Sequence, residues 1–205
     1  KADRNNGTYD ILINKSSATK LYKETAVPNL HVITANENLL GLDIELANSS
    51  DRATRLRESL LEELNYDFIL LDCPPALNIL TINALVASEG ALVPLQAEFY
   101  ALEGLSQLIK TINKIRNTIN SKLKLEGIIL TMYDARNNLS NQVEEDVRSY
   151  LGRDVFQTII PRNVRLSEAP SHGVPALIYD YKCLGSQAYI NLAREVLIKA
   201  GWEIN

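Results

Sequence analysis

Apolar and polar positions along the chain fall into two alternating registers. Short apolar runs at 30–34, 68–71, 91–95, 127–131 and 155–160 have strand length, and stretches with apolar residues at helical spacing lie between them. Residues 37–46 predict a short helix and 51–64 a fuller one. In the latter Leu56, Leu60, Leu61 and Leu64 form the apolar stripe, and Arg52, Arg55, Arg57, Glu58, Glu62 and Glu63 fill the wet face. Leu102, Leu105, Leu108, Ile109, Ile112 and Ile115 mark one long amphipathic helix, and Val143, Val147 and Leu151 mark another. A last helix is predicted over 185–199, burying Tyr189, Leu192, Val196 and Leu197. Runs 68–71 and 127–131 are almost wholly apolar, as in a parallel sheet covered on both faces. The fold class is therefore α/β: a doubly wound, mostly parallel sheet with helices on both faces. The first 25 residues fit worst, with the turn signal Asn5-Asn6-Gly7 and a polar stretch, and are read as a surface helix and loop.

Composition narrows this picture without redirecting it. At 205 residues and 46% hydrophobic, the chain suits one sizeable core and carries no internal repeat or obvious linker. It has no apolar run of about 20 residues that would span a bilayer, and its first residues do not read as a signal peptide. Cys73 and Cys183 lie far apart without CxxC spacing, and with only His31 and His172 available no zinc site is expected. A formal charge of −4 excludes a protein that is basic all over, but not a local basic patch that meets DNA phosphates.

The chemistry gathers at Asp72, which directly follows Ile69-Leu70-Leu71. In an open α/β sheet the working residues collect beyond the carboxyl ends of the strands. A carboxylate there can hold magnesium through its water shell or orient an attacking water, because phosphates supply the remaining ligands. Pro74 and Pro75 stiffen the turn that follows. The alternative is that Asp72 caps the next helix and the prolines form an ordinary loop. Cys73 has no basic neighbour in sequence to activate it, so it is not read as a nucleophile.

Asp72-Cys73-Pro74-Pro75-Ala76-Leu77 with Asn83-Ala84-Leu85 resembles the Walker B and switch region of the ParA/Soj chromosome- and plasmid-partitioning ATPases. The resemblance continues from Val93-Pro94-Leu95-Gln96 through Phe99-Tyr100 to Glu103-Gly104. It resumes at Thr131-Met132-Tyr133-Asp134-Ala135-Arg136 and over 160–173, which begins Ile160-Pro161-Arg162-Asn163-Val164-Arg165. It is close from about residue 60 onward and weak before residue 25. The resemblance implies a cytoplasmic, nucleoid-associated ATPase that dimerises around ATP and magnesium and binds double-stranded DNA without sequence preference. A ParB/Spo0J-type partner would stimulate it, and no stable membrane association is implied. The Walker B acid falls on Asp72, with Ala76 where the family has Ser. Pro161 and Asn163 fall where the family holds adenine, and an amide suits the mixed edge of that base; Met132 either lines the base pocket or fills the core. Arg136 and Arg165 align with DNA-contact positions, with Arg162 and Lys182 adding to the same field; both arginines could equally be solvated. Tyr100 and Tyr133 are read as partly buried packing residues.

The same resemblance implies a Gly-rich loop closed by Lys and Thr, whose N–H groups wrap the phosphates. None occurs in these residues, and the nine glycines never cluster. The expectation is a single partial nucleotide-binding domain over 1–205, P-loop NTPase-like but N-terminally incomplete. Such a chain would be marginally folded, with no tight ATP binding or turnover alone. Two further readings stay open: a non-catalytic truncated relative that binds DNA or a ParB-type partner, and an unrelated α/β enzyme with Asp72 as general base.

Overall fold

The computed structural model describes residues 6–60, 64–98 and 101–204. The expected helix residues Leu61, Glu62 and Glu63, and the motif residues Phe99 and Tyr100, lie outside the described residues. The chain groups into two compact units, Lys1–Gly90 with Ile112–Lys124, and Ala91–Thr111 with Leu125–Asn205.

In the first unit, helix α1 (Thr8–Leu12) is followed by strands β1 (Lys23–Glu24) and β2 (His31–Val32), which pair antiparallel. A 3-10 turn, Glu37–Gly41, runs into α2 (Leu42–Glu45), and then come α3 (Arg55–Leu60) and α4 (Ile79–Ala87). Ile11 and Leu12 are each 1% exposed and pack with Ala18, Leu42, Leu46, Leu56 and Ile79. This corrects the reading of the opening residues as a surface helix and loop. Gly7 makes the packing possible: a Cβ there would overlap the Thr34 carbonyl, to which Thr8 N–H donates at 2.9 Å. Asn78 opens α4 by accepting from the N–H groups of Leu80 and Thr81, as an N-cap does.

Residues 68–71, expected as a buried parallel strand, form no strand. Ile69 is 46% exposed and Leu70 86%. The physical reason is pairing: a strand exists only as part of a ladder, and among the described residues the two ladders are β1 with β2 and β3 with β4, neither of which includes residues 68–71. An apolar run states what could be buried, not what is at hand to bury it.

The second unit follows the sequence more closely. Strand β3 (Gly90–Gln96), helix α5 (Ala101–Thr118) and strand β4 (Lys124–Thr131) form a βαβ succession, with β3 hydrogen-bonded to β4. Residues 101–111 of α5 belong to this unit and 112–118 to the first. After α6 (Asn138–Leu151) the chain runs parallel beside β4 through bridges from Ile128 to Val155 and from Tyr133 to Pro161. Val93, Leu95, Leu105, Ile128, Leu130 and Val147 make the core. Short helices α7 (Val164–Glu168) and α8 (Ala176–Tyr179) lead to α9 (Leu184–Lys199). That last helix buries Leu192, whereas Tyr189 is exposed, contrary to expectation.

The expected strand over 155–160 is interrupted, and the reason is visible. Phe156 N–H donates to the Ile128 carbonyl and Ile160 N–H to that of Leu130. Four steps along one segment thus match two along β4, and the slack is taken up at Gln157 and Thr158. Their N–H groups donate to the Glu195 carboxylate at 2.7 and 3.0 Å, so these two backbone donors are satisfied where the ladder is interrupted.

Candidate functional site

The carboxyl end of β4 carries the residues expected to meet a base. Met132 follows the strand in a left-handed conformation, φ 52°, rare for a residue with a Cβ and a mark of local constraint. Its neighbour Tyr133 donates N–H to the Ile160 carbonyl and accepts from Arg162 N–H at 2.9 Å. These two bonds bring the loop after β4 against Pro161 and Asn163, so Met132, Pro161 and Asn163 share one end of the unit. Tyr133 itself is a packing residue: partly buried against the core, it donates its hydroxyl to Asn141 at 2.7 Å.

Asn163 caps α7 by accepting Arg165 N–H on Oδ1 at 2.9 Å. An amide, a proline ring and a thioether at one end of the unit are residue types suited to a purine, which presents an apolar face and acceptor nitrogens.

Asp72 belongs to the first unit and is exposed, in the turn before Pro74 and Pro75. The following helix is capped by Asn78, not by Asp72, which removes the capping alternative. Thr81 ties the turn down by donating its hydroxyl to the Ala76 carbonyl at 2.6 Å. The Cys73 thiol is raised above its usual value, first by partial burial of the sulfur and second by the Asp72 carboxylate, although the residue as a whole is exposed. A thiol held protonated is a poor nucleophile, in line with the sequence reading. Among the described residues no group of three or more metal-ligating side chains occurs, so a metal at Asp72 would take most of its ligands from phosphate and water.

Arg136, in the loop after β4, and Arg165, in the first turn of α7, both lie in the second unit. Neither stands alone. Arg136 holds Asp134 in a fork, Nε to Oδ1 at 2.9 Å and Nη2 to Oδ2 at 2.8 Å. Arg165 meets Glu168 at 2.9 Å and Asp180 at 3.5 Å. Sequence reasoning missed these acids, although Asp134 two positions before one arginine and Glu168 three after the other were there to be seen.

The Asp134 carboxyl is held at about 2, against a usual 3.8, chiefly by the Arg136 side chain and then by its backbone N–H. Its folded value is depressed, so the stability it contributes is complete above the unfolded value and fades as the pH falls from near 4 toward 2. Carbon-detected titration of the carboxyl is expected to give a midpoint about 2, moving up toward the ordinary aspartate range in Arg136→Ala. An unchanged midpoint in that variant would assign the shift to something other than the ion pair.

A family model described as "AAA domain" matches residues 1–125. The chromosome partitioning protein ParA of Caulobacter vibrioides is 48% identical over 201 residues, covering 96% of this chain and 75% of that protein. The sporulation initiation inhibitor protein Soj of Bacillus subtilis is 49% identical over 197 residues, covering 96% and 78%. Among solved structures, cobyrinic acid a,c-diamide synthase of Mycobacterium smegmatis, with a bound ATP analogue and magnesium, superposes with a TM-score of 0.80 at 28% identity, covering 98% of this chain and 76% of that one.

These matches correct the expectation of an N-terminally incomplete fold lacking its P-loop segment. The likeness is not weak before residue 25 as expected: the domain match starts at residue 1, and the superposition takes in 98% of the chain. The opening residues, weak in recognisable motif, are part of the same P-loop NTPase-like fold. Their signature is core packing, which a search for one glycine loop does not register.

Proposed function

The chain belongs to the ParA/Soj family of partitioning ATPases, and from that premise we propose that it segregates a chromosome or plasmid by a cycle of ATP binding and hydrolysis. The observation that carries this reading is identity of 48% to ParA over 201 residues and 49% to Soj over 197. ATP with magnesium is the cofactor, supported by the ATP-analogue and magnesium complex of the synthase relative.

In this reading 1–205 acts as one nucleotide-binding domain. Pro161 and Met132 offer the base an apolar contact, and Asn163 donates to one of its ring nitrogens. Asp72 is the Walker B acid: it would hold a magnesium ion, which when bound would neutralise charge developing on the phosphates. Arg136 and Arg165 meet DNA phosphates without reading bases. The partners are nonspecific double-stranded DNA, a ParB/Spo0J-type protein and a second copy of the chain when ATP is bound, placing the protein on the nucleoid. No helix among the described residues is long and apolar enough to cross a membrane.

Replacing the host's own allele with Asp72→Ala is expected to lower DNA-stimulated ATP turnover on the order of 100-fold and to raise the fraction of cells without chromosome or plasmid. Normal segregation with that allele would remove Asp72 from the mechanism. Normal segregation after deletion of the whole gene would remove the function.

A further inference from the structure

Beyond the carboxyl end of β4 the second unit holds three arginines, Arg136 and Arg162 in loops and Arg165 in α7, together with three acids, Asp134, Glu168 and Asp180. Backbone bonds between Tyr133 and the 160–162 segment keep the two loops side by side. The Arg136 side chain is 91% exposed and that of Arg165 54%, yet each already carries a carboxylate. The Arg136 pair uses the planar fork that a guanidinium also presents to a phosphate. Asp134 is fixed as well by accepting Arg136 N–H at 3.1 Å, and Arg162 lies close enough to help hold it ionised. Glu168 accepts the Tyr179 hydroxyl at 3.2 Å, and Asp180 accepts the N–H groups of Lys182 and Cys183 at 3.1 Å each. The acids are therefore placed by the fold, not merely attracted to the arginines.

We propose that Asp134 and Glu168 are built-in counterions for the DNA-contacting arginines: each occupies its guanidinium where a backbone phosphate would bind, and DNA binds by displacing it. This rests on the reading of Arg136 and Arg165 as DNA contacts. Its consequence is that the surface shows little net positive charge until a polyanion offers several phosphates at once. Binding becomes weaker per contact and easier to reverse, and single small anions gain little. The carboxylates thus act as positioning and specificity residues toward DNA without touching it.

The test is a double-mutant cycle read by anisotropy of a short labelled duplex, using the full-length protein with ATP and magnesium. Asp134→Asn keeps the oxygen that accepts Arg136 N–H, and Glu168→Gln keeps the acceptor for Tyr179, so both should fold. Each is expected to tighten DNA binding about fourfold, the scale of an exposed ion pair. The gain from Asp134→Asn is expected to vanish in an Arg136→Ala background, and that from Glu168→Gln in Arg165→Ala. A gain that persists in those backgrounds is a general charge effect and overturns the counterion role, as does no gain at all. If Arg136→Ala and Arg165→Ala bind DNA as well as the unaltered protein, or if the unaltered protein does not bind, the DNA reading itself fails.

Discussion

Asn83→Asp is expected to destabilise the first unit by about 4 kcal/mol at neutral pH, a large part of a typical domain's stability. Asn83 is 1% exposed. Its Nδ2 donates to the carbonyls of Arg52 at 2.7 Å and Ile79 at 2.9 Å, and its Oδ1 accepts Leu56 N–H at 3.3 Å. One amide thereby bolts α4 to the start of α3. Aspartate has the same shape but no donor, so a buried carboxylate would face two carbonyl oxygens. Burial and those oxygens would raise its pKa above the unfolded value. The penalty is then greatest above the raised value and shrinks as the pH falls through it, because a protonated acid regains one donor. Denaturant melts of this variant, Asn83→Ala and the unaltered protein at two pH values decide the matter. Asn83→Ala is expected to lose about 2 to 3 kcal/mol with no pH dependence of its own. Equal losses for both variants at both pH values would mean that volume alone is at stake.

The second large effect is expected at Gly127. This residue lies in β4 against the Phe156 ring, which is 1% exposed and has the Lys199 ammonium over it, 4.4 Å from its centroid. Lys199 is itself tied to the Glu126 carbonyl at 3.0 Å. A Cβ on residue 127 would lie 2.7 Å from Cδ2 of that ring and closer still to Cε2. Alanine ordinarily suits a strand better than glycine. Here Gly127→Ala is expected to cost about 3 kcal/mol through overpacking, because the ring has no empty space to enter. Phe156→Leu in the same chain should recover part of that loss, although alone it removes buried surface and destabilises. A double variant as unstable as the sum of the two singles would show that the ring and the glycine are not coupled.

Much of the second unit could be read from the sequence. Strands β3 and β4 and helices α5, α6 and α9 appear where apolar spacing puts them, because each carries a full stripe or run. The first unit was harder. Helix α1 has five residues, too few to show a period, so Ile11 and Leu12 looked like surface until Gly7 and Thr34 were seen to seat them. Helix α4 is apolar on nearly every side, which erases periodicity, and its surviving signal was the cap at Asn78. Residues 68–71 had the composition of a buried strand without its ladder, and composition does not report pairing. At the candidate site the residue types could be read, and the loops carrying Met132, Pro161 and Asn163 do come together. What could not be read was occupancy: that Arg136 and Arg165 meet carboxylates depends on side-chain direction, which spacing leaves open.

On the proposed reading, the cap that Asn163 forms bears on nucleotide choice. Because one of the two lone pairs on its carbonyl oxygen already accepts Arg165 N–H, the side chain can offer a bound base two N–H donors and at most one further acceptor. Adenine and guanine both carry ring nitrogens that accept such a donor, whereas the exocyclic amino group of adenine needs an acceptor. In that reading the part Asn163 plays is donation to a ring nitrogen, which suits purines as a class. Substituting Asn163 would weaken ATP and GTP together and leave their ratio in place.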